Sequence, residues 1–142
     1  MEALIQACDT LSLYNDTKDI DWYNNTIFNL YVRTDINEII HVYTNDFIQN
    51  GQYIGELLGE KKYSCEIVPN PYIIFIDDDY VIDCSIKPRC IISLIQESFY
   101  EGFIPNCEMI LYTNHNIKAG ICACRDIYPN EELIFKKSFG YY

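Results

Sequence analysis

Positive charge, glycine, alanine and paired cysteines are scarce in this sequence. Ten Lys and Arg stand against 21 Asp and Glu in 142 residues, a net charge of −11. Neutralising phosphates takes a basic stripe, so direct nucleic-acid binding is excluded, and docking on an anionic membrane is disfavoured. A basic protein or peptide suits the excess of carboxylates as a partner, although the same charge also serves plain solubility. No apolar run approaches the roughly 18 residues of a membrane span. The chain does not open on a basic stretch followed by an apolar one, so secretion is not indicated. The seven cysteines (Cys8, Cys65, Cys84, Cys90, Cys107, Cys122 and Cys124) form no C-x-x-C pair. Neither His41 nor His115 sits at a zinc-ligand spacing, so no metal site is expected, and the thiols read as buried and reduced. Cys122 and Cys124 alternate along an expected strand and would leave one face of it. The triplets Asn15-Asp16-Thr17 and Asn24-Asn25-Thr26 are expected by chance among 12 asparagines. An intracellular, cytoplasmic or nuclear, single-domain protein is the expectation.

Strand formers fill the space that glycine and alanine leave. There are 23 Ile and 13 Tyr against 4 Ala and 6 Gly, and 49% of the residues are hydrophobic. That leans towards β structure around a sizeable core. Strand signals fall at Ile27–Val32, Ile39–Tyr43, Tyr53–Leu58, Tyr72–Ile76, Val81–Cys84, Glu108–Thr113, Gly120–Arg125 and Leu133–Phe135. Asp77-Asp78-Asp79 lacks the further oxygen ligands and glycine of a calcium loop, and reads as a solvated turn between two strands. Two short helices are expected, one at Ala3–Leu13 and one at Cys90–Ser98, with Pro88 just ahead of the second. Residues 1–29 read as an extension of short helix and polar loop around Trp22, and 30–142 as the main domain. The fold class is mostly β with short helices.

The order of the pieces resembles the SET domain, the fold of most protein-lysine methyltransferases. The family's G-E-x-(I/V)-x-E-Y-x-G-E pattern is met by Asn50-Gly-Gln-Tyr-Ile-Gly-Glu-Leu-Leu-Gly-Glu60 at Gly51, Ile54, Glu56, Gly59 and Glu60. Tyr72–Asp83 follows its Y-x-F-x-I-D-D-x-x-V-(I/V)-D strand pair. A short helix, a Pro105-Asn106-Cys107 turn and a hairpin come next. Ala123-Cys-Arg-Asp-Ile-Tyr-Pro-Asn-Glu-Glu-Leu-Ile-Phe135 then resembles A-x-R-D-I-x-x-G-E-E-L-x-F. The resemblance covers about residues 30–142. It implies several small sheets with a threaded C-terminal pseudoknot, and methyl transfer from S-adenosylmethionine to a lysine amine. Such an in-line displacement depends on holding nitrogen, methyl and sulfur in register, with the amine neutral.

The same resemblance points to positions where this chain departs from the family. The cofactor-side G-x-G falls on Ile39-Ile40-His41, without either glycine. The R-F-I-N-H-S segment falls on Ser93-Leu94-Ile95-Gln96-Glu97-Ser98, so Gln96 and Glu97 replace the Asn-His pair that holds the cofactor. Pro105-Asn106 keeps the turn of the threaded loop. Lys137 takes the place of the catalytic tyrosine, and its ammonium would repel both a sulfonium and a substrate lysine. Tyr141 or Tyr142 would substitute only through a four- or five-residue shift of register. Three readings follow. One is a SET-type protein with an impaired site, acting as a binding or regulatory module for a basic, histone-tail-like partner. The second is an active histone-type lysine methyltransferase with divergent motifs, using S-adenosylmethionine. The third is an unrelated β-rich interaction protein. A homodimer, as in small viral members of the family, is a further option under the first.

Overall fold

The computed structural model describes residues 22–70, 72–98, 104–113 and 117–136. The helix expected at Ala3–Leu13 and the positions of Lys137, Tyr141 and Tyr142 lie outside these residues. The strands are β1 (Trp22–Tyr23), β2 (Leu30–Thr34), β3 (Ile40–Thr44), β4 (Tyr53–Glu56), β5 (Glu60–Tyr63) and β6 (Ile73–Phe75). They continue as β7 (Tyr80–Asp83), β8 (Arg89–Cys90), β9 (Gln96–Glu97), β10 (Cys107–Thr113), β11 (Ile117–Ala123) and β12 (Ile134–Lys136). Among the described residues these form four small sheets, ordered β1-β8, β2-β3, β5-β7-β6 and β4-β11-β10-β12-β9. All eight strand signals of the sequence are met by a strand, with ends shifted by up to three residues. The family-like mixture of several small sheets is thus present.

Local chemistry explains most of these elements. In β2, Leu30 and Val32 are buried while Tyr31, Arg33 and Thr34 are not, the period-two pattern of a strand with one covered face. The β2–β3 turn is built by Asp35, whose Oδ1 accepts the backbone N–H groups of Asn37 (2.7 Å) and Ile39 (3.1 Å). Glu38 holds φ +63° in that turn. Asp77 plays the same part before β7, accepting from the backbone N–H of Asp79 and Tyr80 at 2.8 Å each. The triple aspartate is a turn, as expected.

Two turns hold the centre by facing each other. Ile48 and Ile127 exchange backbone hydrogen bonds of 2.8 Å in both directions. Gln52 Oε1 accepts from the Gln49 N–H (2.7 Å), and Glu131 Oε1 accepts from the Tyr128 N–H (2.8 Å). Each turn has a left-handed residue, Gly51 at φ +90° and Asn130 at φ +74°. Both isoleucines are fully buried, beside Ile76, Ile91, Ile121 and Leu133. Each such side chain contributes roughly 1.5–3 kcal/mol by leaving water.

Three expectations need correction. Cys90–Ser98 is not a helix: it is the end of β8, a 3-10 turn at Ile91–Leu94, and β9. Ile91, Ile92, Leu94 and Ile95 are all buried, so the run is covered on every side, and a one-sided helical stripe is not what it needs. The segment around Trp22 is not simply a loop, because Trp22 and Tyr23 pair in parallel with Arg89 and Cys90. The thiols are not uniformly buried either. Cys84, Cys90 and Cys107 are, Cys122 is half-buried, and Cys65 and Cys124 are exposed; these six, the cysteines among the described residues, are free. Since β11 ends at Ala123, Cys124 lies just past the strand.

Candidate functional site

The C-terminal strand brings the family-like positions together. β12 lies between β10 and β9 and runs parallel to both. In the chain, β9 and β10 precede it, so the last strand enters between two that were neighbours in sequence. Gln96 and Glu97 pair with Ile134 and Phe135 on one side, and Cys107 pairs with Phe135 on the other. Ser98 N–H donates to Phe135 O at 2.9 Å. The Gln96 side chain then reaches from β9 to β3, where Nε2 donates to Ile40 O at 2.8 Å. Two segments 56 residues apart are thereby tied directly to each other.

Asn106 forms the buried knot of this region, with 1% of its surface exposed. Its Nδ2 donates to Glu132 O (2.8 Å), and its Oδ1 accepts from Ile134 N–H (2.9 Å). The backbone adds Asn106 N–H to Ile134 O (3.0 Å) and Cys124 N–H to Asn106 O (2.9 Å). Asn suits the place because it offers one donor and one acceptor face to a strand that presents both. Pro105, beside it, is half-buried, and its carbonyl faces the Cys124 thiol at 3.8 Å.

His41 forms a second knot, with carboxylates on both sides of its ring. Its Nδ1 lies 2.7 Å from Glu132 Oε2 and its Nε2 lies 2.7 Å from Asp35 Oδ2. Burial opposes charge on the ring, but hydrogen bonds to Asp35 and Glu132 and their negative charges outweigh it, so the His41 pKa lies above its ordinary value. The Asp35 pKa is lowered, chiefly by its bond to His41 and then by the Ile39 N–H. Arg33 sits across the hairpin from His41.

Thus Ile40, His41, Gln96 and Asn106 converge on residues 132–136, with Glu97 paired on the same strand. Ile39, which the sequence places as an intruder on the cofactor side, keeps 45% of its surface exposed at the edge of this cluster. β12 ends at Lys136, one residue before Lys137. Sequence reasoning missed Asp35 and Glu132 as partners of His41. Asp35 carried a usable signal, since an Asp four residues before Ile39 builds the turn that aims it at β3. Glu132, 91 residues away, carried none. Among the described residues no group of three or more His, Cys, Asp or Glu could hold a metal ion.

Comparison with known proteins bears on this geometry. The sequence profile of the SET domain matches residues 40–136. A comparison with curated protein sequences gives no match. Among solved structures, the chain is similar to KRYPTONITE in a complex with DNA, a histone H3 peptide and SAH, at 21% identity and a TM-score of 0.64. That match covers 82% of this chain and 24% of KRYPTONITE's. ATXR5 in complex with a methylated histone H3.1 gives 19% identity and a TM-score of 0.64, covering 80% of this chain and 58% of that one. A histone methyltransferase candidate from Plasmodium falciparum gives 14% identity and a TM-score of 0.57, covering 80% and 96%. At these identities the likeness is one of fold. The chain spans about a quarter of KRYPTONITE and under two thirds of ATXR5.

Proposed function

We propose, from the premise that this chain belongs to the SET-domain family, that it is a SET-fold binding module for a basic protein segment, with S-adenosylmethionine chemistry impaired. The observation that carries the reading is the bond between the two cofactor-side segments. The Ile40 carbonyl lies in the segment aligned with G-x-G, and it is taken up by the amide of Gln96, aligned with the family asparagine. Next to it His41 stands where the pattern calls for glycine, with both ring nitrogens committed to carboxylates. Backbone approach to a cofactor needs small residues and free polar groups there, so these residues do not fit S-adenosylmethionine. Lys137 at the family's tyrosine position supports the same conclusion on charge.

The partner class follows from electrostatics. A chain of net charge −11 draws a lysine- and arginine-rich segment and disfavours acidic ones. KRYPTONITE and ATXR5 were crystallised with histone H3 segments, which makes a histone-tail-like peptide the first partner to try. Calorimetry of the full chain with S-adenosylmethionine tests this reading. No binding heat is expected, together with binding of a basic histone-type peptide that weakens as salt rises. Micromolar cofactor binding, or methyl transfer to the peptide, would favour an active lysine methyltransferase with divergent motifs instead.

A further inference from the structure

The cluster around His41 is more than a static tie. Both ring nitrogens face carboxylate oxygens at 2.7 Å, and both acidic residues are anchored from behind. Asp35 is fixed by the two backbone N–H groups of its own turn. Glu132 is fixed through its backbone, bridged to Tyr43 and bonded to the Asn106 amide. The Asp35 carboxylate cannot turn within its own turn without losing these bonds, and the Glu132 main chain cannot shift without breaking its own. A neutral imidazole has one N–H and one lone pair. It would satisfy one carboxylate and set its lone pair against the other. An imidazolium satisfies both.

We propose that Asp35, His41 and Glu132 form a proton-operated latch on the tip of the β2–β3 hairpin, closed while the imidazole carries both protons and released when it loses one. Release frees the tip at Asp35–Ile39. The root of the hairpin stays attached, because Leu133 N–H donates to Val42 O (2.8 Å) and Thr44 N–H donates to Glu131 O (3.2 Å). Asp35 is the end that lets go: its side chain is 34% exposed, against 24% for Glu132.

Other charged and titratable groups border the latch. Arg33 faces His41 across the hairpin and lies over the Tyr31 ring at 5.6 Å. Its charge opposes protonation of the ring. The Tyr31 and Tyr43 rings stack at 5.3 Å; burial raises the Tyr43 pKa, followed by the charge of Glu132. Glu38 lies in the turn itself. Glu131, next to Glu132, is paired with Arg125 at 3.2 Å. None of these supplies an alternative donor to Asp35 or Glu132 among the bonds of the described residues.

The folded His41 pKa is raised above 6.5. The latch therefore contributes fully below about 6.5, and its contribution is lost as pH rises through the folded value. The geometry alone carries this inference, independently of whether cofactor binds. The fastened segment is nevertheless the one that the reading above places at the cofactor side.

Nitrogen-detected NMR of the full chain tests it without any ligand. The chain has two histidines, His41 and His115, so His115→Gln isolates the imidazole of interest. Both ring nitrogens are expected to carry protons at pH 6, with a midpoint above 6.5 that falls in Glu132→Gln. Amide protection at Asn37 and Ile39, corrected for intrinsic exchange, should fall as pH rises from about 6.5 to that midpoint, by at most about tenfold per pH unit, and level off above it. The drop should vanish in His41→Gln. An ordinary or lowered midpoint in otherwise unaltered protein overturns the latch, as does a midpoint indifferent to Glu132→Gln. Protection that does not change with pH, despite a raised midpoint, overturns the release.

Discussion

Asn106 and His41 fasten the same stretch of chain, residues 132–134, by opposite means. Asn106 is neutral and buried, and it bonds mainly to backbone. His41 is charged when closed, half-buried, and bonds only to side-chain carboxylates. A neutral knot in the interior works at any pH, but its loss leaves buried backbone groups without partners. An ionic knot near the surface is screened and cheap to lose, yet it responds to protons. The first builds the fold, and the second tunes one hairpin.

Breaking the neutral knot should have the largest effect. Asn106→Leu leaves Glu132 O and Ile134 N–H unpaired in the interior, at about 1–3 kcal/mol each. A loss of about 3 kcal/mol is expected in urea unfolding, independent of pH between 5 and 9. A marked pH dependence would contradict the neutral character of the site.

A buried ionic pair sharpens the contrast, because its pH dependence has the opposite sign. Asp83 accepts from the Ser85 hydroxyl (2.6 Å), the Ser85 N–H (3.0 Å) and Lys62 Nζ (3.0 Å). Burial alone would raise its pKa, but the Ser85 bonds and Lys62 outweigh it and hold it near 2, against an ordinary 3.8. A lowered carboxyl pKa means that this stability is present above about 3.8 and is lost as pH falls towards 2. Asp83→Ala should cost about 2 kcal/mol at pH 7, and the variant should lose less than the parent in acid. Unfolding curves at pH 7 and pH 3 check this.

The latch comes next. Glu132→Gln should cost about 1 kcal/mol at pH 6 and clearly less at pH 9, the reverse of Asp83. Equal losses at both values would remove the distinction from Asn106. Smallest of all is Arg125→Ala. It removes a surface pair with Glu131 at 3.2 Å, with the Arg125 side chain 42% exposed, and should shift the unfolding midpoint by the equivalent of about 0.5 kcal/mol or less.

How much of this could be read from the sequence varies by element. Asp77 and Asp35 announce turns because a short carboxylate caps the N–H groups two to four residues on. Tyr72–Asp83 and Glu108–Arg125 read as hairpins because alternation and turn residues lie within a few positions of each other. Cys90–Ser98 misled, since a short, mostly apolar run does not distinguish a helix from a buried irregular turn. Gln96 and Glu97 become a strand because β12 needs a partner on its outer edge, and that demand arises 38 residues later. Ile39, His41 and Gln96 were recognised as site positions by resemblance, and Ile40 only as the residue between the first two. Their bonds to one another and to Glu132 were not.

The sequence by itself determined a β-rich, acidic chain, most of its strands and turns, and its membership of the SET-domain family, because those properties reside in composition and in patterns a few residues long. Only the tertiary structure decided how the family-like positions are used. Gln96 meets Ile40, and His41 meets Glu132, across 56 and 91 residues. No local pattern encodes such contacts. They exist because the last strand is seated between β9 and β10, which brings polar groups from distant segments close enough to need one another.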